Sequence, residues 1–162
     1  MPTKIEISLN KQQLRLLNAE RLLASYTISS ALNGPGEQMG SGCTPRGRHH
    51  IRIAIGGDCA TNTVFVGRRQ TGEIYSASLA LQHPTRDWVL TRILWLTGDE
   101  SGRNRGGGVV DSLRRYIYIH GTPDSEPMGV PRSHGCIRMR NSDLIELYDQ
   151  VSAGTQVEIT DD

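Results

Sequence analysis

The sequence has few aromatic residues, almost no excess of charge and no long apolar run. Aromatic residues make up 5% of the 162 residues, and Phe65 is the single phenylalanine. The 18 lysines and arginines nearly balance the 17 aspartates and glutamates, which leaves a net charge of +1. Nucleic-acid-binding domains usually cluster an excess of basic residues, so we expect no nucleic-acid partner. No run of about 18 apolar residues occurs, so we expect no membrane-spanning helix and no membrane partner.

The N-terminal residues do not resemble a secretory signal. They contain no continuous apolar segment and no small-residue cleavage site, and strand-like alternation starts at Lys4. If Met1 is the native start, this predicts a cytoplasmic protein. A trimmed leader would instead place the protein in the periplasm.

Cysteine is scarce as well, with only Cys43, Cys59 and Cys136. Three is an odd number and no C-x-x-C pair occurs, which favours a reducing compartment over a disulfide framework. Cys43 and Cys59, with His49 and His50 between them, match no standard zinc spacing, and adjacent histidines on a strand point to opposite faces. We therefore expect no metal site and no cofactor, and we interpret both histidines as surface strand residues.

Glycine is abundant, with 18 residues, and short segments of alternating apolar and polar residues recur between glycine-containing turns. Such alternation is typical of half-buried strands. The predicted strands cover 4–9, 14–16, 21–28, 51–55, 88–96, 115–119 and 156–159. With no linker or repeat, the chain is predicted to form a single domain over residues 1–162. Its fold class is mostly β, sandwich-like or barrel-like, with one or two short helices.

One helix is predicted after Ser142, which can act as its N-cap. The apolar residues that fall on one face at helical spacing are Leu144, Leu147, Tyr148 and Val151. A second short helix is expected near 109–114. Four side chains are candidates for substrate contact, although core or solvent positions suit them equally: Tyr75, Trp95, Arg103 and Arg105.

Cys136 is the strongest candidate nucleophile. A free thiol has a pKa of about 8.5, so a nearby imidazole is needed to take its proton at neutral pH. His134 is two residues away and would face the same side of an extended segment. His120 follows an apolar strand, whose rigid support can aim the ring at a neighbouring loop. We prefer His120 as the base and keep His134 as the alternative.

The residues around Cys136 have uses of their own. Gly135 allows a tight turn and close approach of a substrate carbonyl, and backbone N–H groups near Cys136 can form an oxyanion hole. Arg138 can face the same side as Cys136, where it would bind a substrate carboxylate or steady the loop.

Two separated motifs, HGT at 120–122 and SHGCIRM at 133–139, resemble the signature of the L,D-transpeptidase catalytic domain family. Many fixed positions in two blocks make a chance match improbable. Three more segments resemble the family's T-P-x-G turn, its following helix and its closing strand, namely 44–47, 141–147 and 154–157. The resemblance extends over 5–159.

The resemblance implies a β-rich fold in which Cys136 attacks a carbonyl and His120 is the base. The backbone carbonyl of Gly121, or a neighbour, would orient the His120 ring. By the same resemblance, the oxyanion and substrate site is lined by Ser133, His134, Gly135, Arg138 and Gly121.

The implied substrate is the tetrapeptide stem of bacterial peptidoglycan, cut after the L-centre of diaminopimelate with D-alanine leaving. Given the expected cytoplasmic location, we favour an L,D-carboxypeptidase of muropeptide recycling, in which water releases the acyl-enzyme. The alternative is an L,D-transpeptidase that forms cross-links or exchanges terminal D-amino acids. The intact Cys136 and His120 disfavour a silent binding module, and their order along the chain disfavours a papain-like protease.

Overall fold

A computed structural model describes residues 3–162 of the chain, so the expected start at Met1 lies outside the described residues. Strands account for 42% of the structure and helices for 9%, which confirms the mostly β prediction. The elements are β1 Thr3–Ser8, β2 Gln13–Asn18, β3 Arg21–Ser29, β4 Gly47–Ile55, β5 Thr63–Val66, β6 Arg69–Ile74, α1 Ala77–Gln82, β7 Val89–Gly98, β8 Tyr118–Gly121, β9 Ile137–Met139, α2 Asn141–Tyr148 and β10 Gln156–Thr160.

The strands form one sheet that closes on itself. Their order is β4-β10-β1-β2-β3-β9-β8-β7-β5-β6, and a further pairing of β4 with β7 closes a ring of eight strands. The β5–β6 hairpin extends from β7 outside this ring. Most neighbours are antiparallel, but β1 pairs with β10 and β8 pairs with β9 in parallel. The β8–β9 pair carries both sequence motifs.

Along the strands, alternate side chains face the apolar core, and the side chains between them face the opposite side of the sheet. Ile5 and Ile7 of β1 are fully buried and pack with Ile119 of β8 and Ile137 of β9 in the main apolar cluster. Helix α2 covers this cluster with Leu144 and Leu147, and full burial of such a side chain is worth about 1.5–3 kcal/mol. Because successive strand residues point to opposite faces, the neighbours of Ile119 and Ile137 face away from this core.

Six predicted strands and the predicted α2 are present, but three expectations are wrong. The segment 115–119 is not a strand throughout: Tyr116 adopts a left-handed backbone conformation (φ 57°), so β8 begins only at Tyr118 and contains His120. The second helix is α1, and 109–114 is an irregular segment that ends in a turn. Ser142 lies inside α2, whose N-cap is Arg140 with no side-chain cap bond. Neither helix among the described residues is long and apolar enough to cross a membrane.

His49 is not a surface residue, contrary to expectation. Its ring is 1% exposed and lies 3.1 Å from the Gly47 carbonyl and 2.9 Å from the Ser112 hydroxyl. Its neighbour His50 points to the other side of β4, where it lies 2.6 Å from an oxygen of Asp99. The two faces of β4 therefore differ as the strand geometry requires.

Candidate active site

The parallel β8–β9 register brings the two motifs side by side. His120 pairs with Arg138 and Ile119 with Ile137, so Tyr118 and His120 share one face with the segment that carries Cys136. The backbone N–H of Tyr118 donates to the Cys136 Sγ at 3.3 Å. Tyr118 and His120 thus lie with Cys136, from a distant part of the chain, on one face of the β8–β9 pair, which we call the wall.

The thiol of Cys136 is held between two backbone groups. It donates to the carbonyl of Tyr116 at 3.3 Å and accepts from the N–H of Tyr118. Burial raises the pKa of Cys136 to about 12, and the N–H bond from Tyr118 offsets only part of this effect. At neutral pH Cys136 is therefore a thiol at rest.

The ring of His120 has a defined tautomer. It is 1% exposed, and its Nδ1 lies 2.6 Å from the carbonyl oxygen of Gly121. A carbonyl can only accept, so Nδ1 carries the proton and Nε2 keeps its lone pair in the neutral ring. Burial lowers the pKa of His120, although the Gly121 carbonyl opposes the shift. His120 is thus neutral at pH 7 and equipped to accept a proton at Nε2.

Cys136 and His120 share the wall without a hydrogen bond between them in the described structure. A raised thiol pKa and a lowered imidazole pKa both disfavour a resting thiolate–imidazolium pair. A protonated thiol and a neutral imidazole on the same face of the β8–β9 pair are instead the starting states of general-base catalysis, in which the imidazole takes the thiol proton as the sulfur attacks.

Tyr116, whose carbonyl holds the thiol, is itself fixed by a stack of side chains. The Arg68 guanidinium lies 4.7 Å from the Tyr116 ring centre and 4.9 Å from that of Trp95, and it donates to the Tyr118 hydroxyl at 3.2 Å. Such packing offsets the cost of the left-handed conformation at Tyr116. The β5–β6 hairpin, which carries Arg68, thereby supports the segment on both sides of the thiol contact.

The loop before Cys136 is closed by short contacts. The Ser133 hydroxyl donates to the Cys136 carbonyl at 2.5 Å and accepts from the Gly135 N–H at 3.2 Å. The buried Thr44 hydroxyl donates to the Gly135 carbonyl at 2.9 Å. Gly135 has φ 137°, and an added Cβ would lie 3.2 Å from the Cys43 carbonyl oxygen, so glycine is required by both conformation and space.

His134 and Arg138 meet at Asp87. Arg138, whose side chain is buried, donates to Asp87 at 2.9 Å, whereas the exposed His134 ring lies 3.4 Å from the same carboxylate. Burial opposes ionisation of Asp87, but the positive charges of His120 (when protonated), Arg138 and His134 outweigh it and lower the pKa of Asp87. Arg138 is thus engaged in the protein, and Asp87 is a site residue that sequence reasoning missed.

Gly121 has no room for a side chain. An added Cβ would lie 2.2 Å from the Asn141 Oδ1 and 2.6 Å from the Leu90 carbonyl oxygen. Asn141 also accepts from the Thr91 hydroxyl at 2.6 Å and donates to the Thr122 carbonyl at 3.0 Å. This buried network fixes the carbonyl that orients His120.

Two grooves flank the site and meet at His134. The Arg114 groove, of about 420 Å³, is lined by Met39, Gly40, Gly42, Arg114, Arg115, Tyr116, Ile117 and His134. The Arg132 groove, of about 340 Å³, is lined by Leu32, Pro84, Thr85, Arg86, Asp87, Trp88, Thr122, Pro123, Glu126, Arg132, His134 and Arg138. Each is large enough to take part of a small peptide.

The other predicted substrate contacts lie outside both grooves. Tyr75 packs edge-on against Trp88 with ring centres 5.1 Å apart, and Trp95 donates to the Leu113 carbonyl. Arg103 is paired with Glu100. Among residues 3–162, no group of three or more His, Cys, Asp or Glu side chains is placed to hold a metal ion.

The family model of the L,D-transpeptidase catalytic domain matches residues 2–159 of the chain. The chain therefore belongs to this family, whose members act on peptidoglycan peptides.

Individual relatives agree with this assignment. The YkuD protein of Bacillus subtilis is 30% identical over 115 residues, which cover 68% of this chain and 65% of that protein. The YbiS protein of Escherichia coli is 42% identical over 50 residues, or 31% of this chain and 16% of that protein. Both names belong to L,D-transpeptidases. The chain thus matches somewhat less than two thirds of the length of YkuD and a small part of YbiS.

Solved structures share the fold. L,D-transpeptidase 3 of Mycobacterium tuberculosis, in complex with a faropenem-derived adduct, superposes with a TM-score of 0.60 at 14% identity and covers 99% of this chain and 60% of its own. The L,D-transpeptidase of Mycobacterium smegmatis gives a TM-score of 0.56 at 16% identity, covering 98% and 58%.

Proposed function

We propose that this chain is a cysteine L,D-carboxypeptidase that removes D-alanine from peptidoglycan tetrapeptides. The observation that carries the proposal is the placement of Cys136 and His120 on one wall of a family domain, with the free lone pair of His120 at Nε2. A neutral base and a thiol on one face of the sheet are a pair that supports acyl transfer by general-base activation of the sulfur.

The reaction then runs in two balanced steps. The Cys136 sulfur attacks the carbonyl carbon of the diaminopimelate L-centre while its proton passes to His120. The bond from that carbon to the D-alanine nitrogen breaks, the nitrogen takes the proton, and a thioester remains. Water, deprotonated by His120, then attacks the thioester carbon and the carbon–sulfur bond breaks. His120 returns the proton to the sulfur, and the tripeptide leaves with a free carboxylate.

Water as the acceptor is supported by the openness of the site. Both grooves beside Cys136 are lined largely by exposed side chains, so water reaches a thioester there without a binding site of its own. An amine acceptor would have to be bound in the place that D-alanine leaves. A terminal D-amino acid resembles the departing D-alanine, so exchange or cross-linking is the alternative outcome.

Incubation of the protein with disaccharide-tetrapeptide, followed by mass spectrometry, tests the proposal. We expect loss of one alanine and a transient acyl-enzyme mass on Cys136. Cys136→Ala should abolish both, whereas Cys59→Ala should retain them, because the Cys59 side chain packs against the same apolar cluster but makes no hydrogen bond to Cys136 or His120. Formation of dimers, or incorporation of added D-amino acids, would show that the protein is a transpeptidase and not a carboxypeptidase. Full activity of Cys136→Ala would refute the mechanism.

We further propose that the substrate is a soluble muropeptide met in the cytoplasm. Cell fractionation with an antibody to the native protein checks the location. Recovery in the periplasm would contradict it and favour action on the assembled wall.

A further inference from the structure

The two grooves that meet at His134 differ in their charge. In the Arg114 groove, no carboxylate of the described residues lines the walls, which carry Arg114 and Arg115. In the Arg132 groove, three arginines are accompanied by Asp87 and Glu126. An anionic group is therefore favoured by the Arg114 groove, whereas a group with both charges suits the Arg132 groove.

Arg115 supplies the frame of the Arg114 groove. Its guanidinium is half-buried and donates to the carbonyl of Cys43 at 2.6 Å and to that of Gly36 at 3.2 Å. These bonds tie the loop that carries Met39 to the turn before β8. Since both of its terminal nitrogens already donate to protein oxygens, Arg115 contributes charge and shape more than a direct ligand contact.

Arg114 is the cation of this groove that is available to a ligand. Its side chain is exposed and makes no hydrogen bond or ion pair with any residue in 3–162. Its backbone N–H donates to the Asp111 carboxylate at 3.2 Å, so the base of the side chain is held on a defined turn. A planar guanidinium in this position suits a carboxylate ligand.

The Arg114 groove leads directly to the nucleophile. Tyr116 and Ile117 line it, and the Tyr116 carbonyl lies 3.3 Å from the Cys136 sulfur. The groove that holds Arg114 therefore extends to the backbone that contacts the thiol.

We propose that the Arg114 groove binds the α-carboxylate of the residue that leaves the tetrapeptide, with Arg114 as its direct partner. The inference rests on the proposed function, in which the leaving D-alanine carries a free carboxylate one residue from the scissile carbonyl. The remaining stem, which bears both charges, then extends toward the Arg132 groove. Arg114 thus selects substrates with a free C-terminus and makes the enzyme exo-acting.

Two tetrapeptides that differ only at their C-terminus test this assignment: one ends in free D-alanine and the other in D-alanine amide. We expect the wild type to prefer the free acid in kcat/KM by at least about tenfold, the ordinary worth of a charge-assisted hydrogen bond. Arg114→Gln should remove this preference by slowing the acid alone, and Arg114→Lys should restore part of it. Arg52→Gln, which removes the same charge from the exposed side of β4, should leave the preference intact.

An equal effect of Arg114→Gln on both peptides, no effect on the acid, or a wild type without preference would each overturn the assignment. The affinity of each peptide for Cys136→Ala protein, measured by calorimetry, distinguishes failure of the Arg114 assignment from failure of the proposed function. If neither peptide is cleaved by the wild type, the proposed function fails. Tighter binding of the free acid than of the amide, with this difference lost when Arg114→Gln is added, would still support the assignment of the groove. Equal binding of the two peptides would refute it.

Discussion

The two histidines nearest in sequence to Cys136 lie in opposite environments. His120 belongs to β8 in the wall, whereas His134 belongs to the loop 131–135, which forms the rim of the two grooves. His120 is 1% exposed and its Nδ1 is fixed by the Gly121 carbonyl. The His134 side chain is 77% exposed, with only a 3.4 Å approach to Asp87. Proton transfer needs a ring in one orientation and one tautomer, and only the wall supplies both. The nearer residue in sequence is thus the less suited to catalysis.

The largest effect is expected when the rings of His120 and His134 are removed one at a time. We expect His120→Ala to lower kcat/KM for D-alanine release by about 10²–10⁴-fold, the usual worth of a positioned general base. His134→Ala should cost less than about tenfold, since its ring lies on the rim of the grooves. Release of D-alanine measured under matched conditions checks both variants. Equal losses, or a larger loss for His134→Ala, would reverse the assignment of the base.

The state of the thiol on the wall gives a second test. Because burial raises the pKa of Cys136 to about 12, its alkylation rate should rise about tenfold per pH unit between pH 6 and 9, without a plateau. Iodoacetamide labelling followed by peptide mass spectrometry resolves Cys136 from the other two cysteines. A plateau near neutral pH would show a preformed thiolate–imidazolium pair and contradict the neutral resting state.

A contrast between a buried and a half-buried ring recurs at His49 and His50, and the buried His49 affects stability. Burial lowers the pKa of His49 to about 4, against 6.5 for the free side chain, despite the Gly47 carbonyl. As the pH falls, the unfolded chain takes up this proton first. His49 should therefore reduce stability between about pH 6.5 and pH 4 by on the order of 3 kcal/mol, with no further loss below that range.

Urea unfolding across this pH range checks the expectation. A His49→Gln variant should show a shallower dependence of the unfolding free energy on pH than the wild type. An unchanged slope in His49→Gln would show that other groups cause the loss of stability.

The smallest effect is expected at Arg68, whose guanidinium packs against the Tyr116 and Trp95 rings. Arg68→Ala removes the guanidinium between Tyr116 and Trp95, which loosens the carbonyl that holds the thiol. We expect a change of about three- to tenfold in the Cys136 alkylation rate with little loss of stability, whereas the adjacent exposed Arg69→Ala should change neither. Recovery of the wild-type rate in Arg68→Lys would support a positioning role. A change that follows stability alone would contradict it.

Apolar patterns made six of the eight ring strands predictable, whereas the short β9 was not predicted and β8 was predicted only in part. The β5–β6 hairpin was missed because Arg69–Ile74 is mostly exposed and shows no apolar alternation. The short helix α1 was missed too, although Ser76 caps it through the Leu79 N–H. The left-handed Tyr116 breaks a segment whose composition is typical of a strand, and such a local conformation has no sequence pattern of its own.

At the site, the resemblance supplied candidate residues, and the structure supplied their physical relations. Tyr116, Tyr118 and Asp87 contact Cys136 or its neighbours from distant parts of the chain. Their roles depend on register and on backbone atoms, which no side-chain motif records.

The parallel pairing of β1 with β10 has a consequence for engineering. Lys4 lies beside Gln156 and Ser8 beside Thr160, so the two strands start at one end of the ring and run the same way. A linker that joined the end of β10 to the start of β1 would have to return along a whole strand, about 17 Å for five residues. Circular permutants would therefore need a linker of at least about five residues, and tight turns at that junction would open the ring. A module fused before β1 and another fused after β10 would project from opposite ends of the ring.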